Sequence, residues 1–133
     1  MITPEDLAKS GTEDGHQAAV MCWAALNRPT YPQLKWMHAI PNGGSRHFIE
    51  ANKMVGTGTR KGVLDLFLPW PVQLFHGLYI EMKIEKHRNS KDGGLTKEQI
   101  FFKAYADNVG YKTAVCYAWK EAVSEIISYL ELK

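Results

Sequence analysis

The stretch Val63-Leu64-Asp65-Leu66-Phe67-Leu68 is a short, dense apolar run with one carboxylate inside it, and Glu81-Met82-Lys83 follows sixteen positions after Asp65. A run of Val, Leu and Phe with almost no polar interruption predicts a central strand over 63–68, covered on both faces. Burying an unpaired carboxylate there is costly, and a cation is its simplest partner. Residues 78–86 alternate cleanly, which predicts a second strand. Leu78, Ile80, Met82 and Ile84 face one way; Tyr79, Glu81, Lys83 and Glu85 face the other. Glu81 and Lys83 therefore share a face. If the two strands are neighbours, Asp65 stands beside Glu81. Two carboxylates that close ionise together only with a cation between them. Hard oxygen ligands suit magnesium or manganese, with Asp65, Glu81 and the backbone carbonyl of Met82 as candidate ligands. Lys83 then orients or deprotonates a water, or stabilises growing negative charge; its spacing fits all three roles. The plain alternative for Glu-x-Lys is a solvated face with a cross-strand ion pair. That alternative leaves Asp65 unexplained.

Working outward, Thr3-Pro4-Glu5-Asp6 reads as a helix cap, a proline at the first helical position and acids in the first turn. Ser10-Gly11 stops that helix. Thr12 caps a second, mostly buried helix ending near Leu26. Residues 34–40 are expected to be a strand, followed by a turn at Pro41-Asn42-Gly43-Gly44 and a helix over 46–55. A glycine-rich connector, 56–62, leads to the Asp65 run. Pro69-Trp70-Pro71 ends that run, since proline cannot continue a ladder. Residues 87–95 form a polar loop. Thr96 opens a helix to about Asn108, ended at Gly110. Residues 111–117 form a short strand. Residues 121–132 form a terminal helix, with Val123, Ile126, Ile127 and Leu130 at helical spacing. The order α-α-β-α-β-β-α-β-α is an α/β fold, a mixed central sheet flanked by helices. Trp23, Trp36 and Trp119 sit in periodic segments and are expected in the core, with Trp70 exposed between its prolines.

The chain has 133 residues, enough for one domain with a real core and too few for two. Its net charge is +2, so nucleic-acid binding requires local clustering of Lys and Arg rather than a polycation. Cys22 and Cys116 fit neither a disulfide framework nor a metal spacing, and read as buried thiols. The five histidines show no paired zinc spacing. No leader pattern is visible at the N-terminus and no apolar run is long enough to span a bilayer, so an intracellular, non-membrane protein is expected.

Three blocks then carry a family resemblance: Gly58-Thr59-Arg60-Lys61-Gly62-Val63-Leu64-Asp65-Leu66, Ile80-Glu81-Met82-Lys83, and Leu95-Thr96-Lys97-Glu98-Gln99. Together they closely resemble the VRR-NUC (virus-type replication-repair nuclease) domain of the PD-(D/E)xK superfamily. His38-Ala39-Ile40-Pro41-Asn42-Gly43 and Glu13-Asp14-Gly15-His16-Gln17 resemble its earlier segments, so the likeness runs in order from residue 13 to the terminal helix. The proline of the family's Pro-Asp is Leu64 here, which keeps the strand apolar and retains the aspartate.

The resemblance implies a restriction-endonuclease-like core. It implies Asp65 and Glu81 as metal ligands and Lys83 as the catalytic lysine. Glu13 would approach the metal from the N-terminal helix through water, and Gln99 would lie near the reacting phosphate. Each of the last two has a local explanation as well. Glu13 is a first-turn acid favoured by the helix dipole. Gln99 closes a capping box with Thr96. The resemblance further implies phosphodiester hydrolysis in DNA with magnesium or manganese, 5′-phosphate products, and a homodimer with a branched substrate such as a Holliday junction. Arg60, Lys61, Lys86 and Arg88, with Asn42 in its turn, are the candidate DNA contacts. The glycine-rich connector lacks the Gly-Lys-Ser/Thr ending of a nucleotide loop, which argues against an ATPase. The competing readings are an inactive nuclease-like module that binds branched DNA or a protein, and an enzyme acting on another phosphate ester.

Overall fold

The computed structural model describes residues 1–41 and 56–133. Capping chemistry sets the first helices. In α1 (Pro4–Ala8) the Thr3 hydroxyl accepts from the Asp6 N–H while the Asp6 carboxylate accepts from the Thr3 N–H, a reciprocal capping box. Thr12 caps α2 (Glu13–Leu26) by accepting from the Gly15 N–H. The expected strand over 34–40 is mostly a 3₁₀ turn, Pro32–Trp36, followed by a two-residue strand β1 (His38–Ala39). Pro32 at the first helical position favours the turn. Leu34 and Met37, three apart, are the buried pair, which is the 3₁₀ period rather than the strand period.

The Asp65 run gives β2 (Leu66–Leu68), shorter than expected at its start, and 78–86 gives β3 (Leu78–Met82), shorter at its end. The chain after β3 turns into 3₁₀ pieces at Glu85–His87 and Lys91–Gly94. Then come α3 (Lys97–Val109), β4 (Lys112–Cys116) and α4 (Trp119–Leu130). Gly110 ends α3 in the left-handed region, at φ 106°. The sheet order is β1-β2-β3-β4; the first two pairings are antiparallel and β3–β4 is parallel, with α3 as the crossover. The expected helix over 46–55 and residues 42–44 of the expected turn, Asn42 among them, lie outside the described residues.

Alternation divides the sheet into two unlike faces. Leu66, Leu68, Leu78, Ile80, Met82, Ala114 and Cys116 pack against Val20 and Ala24 of α2 and Ala122, Ile126 and Tyr129 of α4. Phe67 and Tyr79 point the other way, where Tyr79 meets Phe102 of α3 edge-on. Trp23 and Trp119 pack against the core as expected. Trp36 does not: it is 62% exposed on the outer side of its turn, beside Trp70. Cys116 is buried and Cys22 only half-buried; both are free thiols. Among the described residues no helix is long and apolar enough to cross a membrane.

Gly62 locks the connector against α3. Its φ is +93°, and a Cβ there would lie 2.6 Å from the backbone carbon and oxygen of Glu98. Backbone strain and the clash act together, so Gly62→Ala is expected to destabilise the fold by roughly 2–4 kcal/mol. A urea midpoint equal to that of the parent protein would contradict this packing.

Candidate active site

The β2–β3 register pairs Leu66 with Ile80. Carried one residue further, it places Asp65 opposite Glu81 on the face that α3 covers. Directly opposed side chains have Cβ atoms about 5 Å apart. Asp65 sits just before β2, not inside it as expected, yet it still works as part of the ladder. Its carbonyl accepts from the Ile40 N–H at 2.8 Å, and its Oδ2 accepts from the Met82 N–H at 2.8 Å. The carboxylate thus takes a donor that a strand partner would otherwise receive.

Glu81 is 1% exposed, in the middle of the molecule. Its Oε2 accepts from Gln99 Nε2 at 2.8 Å and lies 3.5 Å from the Lys83 ammonium, which is itself buried. Its Oε1 is buried with no hydrogen-bond partner among the described residues. Burial pushes the Glu81 carboxyl up to about 8, and the charge of Asp65 adds to the rise; Lys83 opposes it. Burial also raises the Asp65 carboxyl, partly offset by the Met82 N–H. Both shifts express one fact: two carboxyls share a space whose counter-charge, among the described residues, is Lys83.

The donor set fits a hard divalent cation. Two carboxylates converge, one of their oxygens has no partner among the described residues, and the Met82 carbonyl lies on the same strand edge as the N–H that Asp65 receives. Glu13, in the first turn of α2, is near enough that its charge adds to the rise at Asp65. It does not join the pair directly: among the described residues no three His, Cys, Asp or Glu side chains converge as a ready cage.

The structure places the other sequence candidates unevenly. Gln99 closes the Thr96 capping box, as its local reading expects, and its Nε2 also donates to Glu81. Lys61 lies 3.9 Å from Glu98 at the start of α3, and Arg60 borders a shallow groove with Ile40, Pro41 and Val63. Lys86 is exposed beyond β3. Arg88 is engaged internally. Its guanidinium is bidentate to Glu85 at 2.6 and 2.7 Å, pairs also with Glu121, and lies over the Tyr117 ring. These bonds pin the segment after Lys83 onto the end of β4. The Glu85–Arg88 spacing was readable in the sequence; Glu121, thirty-three residues away, was not.

An α/β sheet with helices on both faces, carrying Asp and Glu-x-Lys on adjoining strands, defines the restriction-endonuclease-like class. No family model matches the sequence, and no curated protein does. A solved structure described as a VRR_NUC domain protein matches with a TM-score of 0.72 and 28% identity, over 91% of this chain and 89% of that one. The likeness supports a VRR-NUC domain with a restriction-endonuclease-like fold and suggests a nuclease-like module.

Proposed function

We propose that this protein is a divalent-metal-dependent DNA endonuclease, acting as a homodimer on branched DNA such as a Holliday junction. The observation that carries the reading is the meeting of half-buried Asp65 with buried Glu81 and Lys83, with Glu81 Oε1 unpartnered among the described residues. Asp65, Glu81 Oε1 and the Met82 carbonyl would hold magnesium or manganese. When bound, the ion supplies Lewis-acid polarisation of the phosphodiester and an acidified water.

The protein's own groups do the rest. The Met82 N–H fixes Asp65. The Lys83 ammonium faces the growing negative charge of the phosphorane and supports departure of the 3′ oxygen, leaving a 5′-phosphate. Lys86, Arg60 and Lys61 supply salt-sensitive contacts to flanking phosphates. Two-fold symmetry would present two such sites to opposite strands of a junction.

The test is incubation of linear, flap and four-way DNA with wild type and Asp65→Asn, with and without Mg²⁺ or Mn²⁺. Asparagine keeps the acceptor for the Met82 N–H but removes the charge. Cleavage should require metal, favour the four-way substrate, and fall at least about 100-fold in the variant. Wild type that binds junctions but cuts nothing under either metal would make this an inactive DNA-binding module.

A further inference from the structure

The side-chain amide of Gln99 is engaged at both ends. Its Oε1 accepts from the Thr96 N–H at 2.9 Å and its Nε2 donates to Glu81 Oε2 at 2.8 Å. The first bond dictates the second. A backbone N–H can only donate, so the amide oxygen must face the helix cap and the NH₂ must face Glu81. Gln99 is 7% exposed, which leaves water little chance to compete. Glu81 Oε2 therefore meets Gln99 and Lys83, both donors, while Oε1 stays buried and unpartnered among the described residues. A carboxylate with one oxygen engaged by donors offers the other as its open position.

We infer that Gln99 is a positioning residue for the cation site: its amide, oriented by the N-cap of α3, holds Glu81 by Oε2 and leaves Oε1 to meet a divalent ion. The inference rests on the metal site proposed above and gives Gln99 a role in which it touches neither the ion nor the DNA. Partners of this kind orient metal ligands, and their loss costs 10–100-fold in metal affinity.

The experiment titrates Mn²⁺ alone, without DNA, into the whole chain by calorimetry. Gln99→Met removes both amide bonds at nearly constant volume. Thr96→Ala removes the 3.1 Å bond from the Gln99 N–H to the Thr96 hydroxyl, but keeps the backbone N–H that orients the amide. Gln99→Met should bind Mn²⁺ about 10–100-fold more weakly. Thr96→Ala should bind it as wild type does, despite a lower melting midpoint. Equal Mn²⁺ affinity in Gln99→Met, or an equal loss in Thr96→Ala, overturns the positioning role and leaves the metal site standing. Wild type that takes up no Mn²⁺ overturns both. Should Gln99→Met not fold, the Gln99 NH₂ protons of the wild type decide by NMR. Slow solvent exchange and a shift on Mg²⁺ saturation support the role; rapid exchange, or no shift, removes it.

Discussion

Replacing Lys83 with methionine is expected to slow DNA cleavage by about 10²–10⁴-fold, the range for losing a positioned base or a preorganised charge at the transition state. Methionine nearly preserves the volume of a side chain only 9% exposed and removes the charge 3.5 Å from Glu81. The loss should fall on kcat under single-turnover conditions with saturating metal, because the ammonium is aimed at charge that develops during reaction. Lys83→Arg separates its two roles. A guanidinium keeps the positive charge and cannot be deprotonated in a protein. Substantial recovery in the arginine variant assigns Lys83 an electrostatic role; no recovery in a folded variant is the pattern of a proton carrier. Wild-type cleavage in Lys83→Met would remove this residue from the mechanism.

The second large effect is on stability. With metal chelated, the protein should lose stability as pH rises from about 4.5 to about 8, because the folded state keeps Glu81 protonated up to about 8 while the unfolded chain ionises near 4.5. Between those values the native state binds the extra proton, so its stabilising effect is complete below 4.5, declines through the interval and is gone above 8. Each unit of pKa difference corresponds to about 1.4 kcal/mol. Relaxation and sharing of the proton with Asp65 reduce the sum, so a net change of roughly 2–4 kcal/mol is expected. Glu81→Gln has no charge to bury. Its urea midpoint should be nearly flat from pH 5 to 8 and should exceed that of wild type at pH 8 in EDTA. Mg²⁺ at pH 8 should restore wild type and leave the glutamine variant unmoved. A wild-type midpoint that climbs over this range in EDTA would show that Glu81 is not under the strain described.

The helices were largely legible in the sequence because their signals are local. Thr3 with Asp6, and Thr96 with Gln99, close capping boxes within four residues, and Gly110 needs only its own backbone freedom. The strands were legible as apolar runs but not in their lengths. β3 ends at Met82 although alternation continues, because Arg88 folds back onto Glu85, Glu121 and Tyr117. The 34–40 segment misled for a related reason. Its apolar residues satisfy a strand period and a 3₁₀ period alike, and Pro32 with burial at Leu34 and Met37 selects the latter. Trp36 is exposed because that turn points it outward.

The sequence by itself determined which residues meet. An aspartate in an apolar run and Glu-x-Lys on the next alternating segment can share a face once the segments pair, since side-chain direction follows strand period alone. Tertiary structure alone decided how they meet. It buried Glu81 to 1%, turned the Gln99 amide onto it from a helix eighteen residues away, left one carboxylate oxygen without a partner among the described residues, and engaged Arg88 in an internal clasp. Those features depend on elements distant in the chain closing over one another, and desolvation and long-range hydrogen bonds exist only after they have closed.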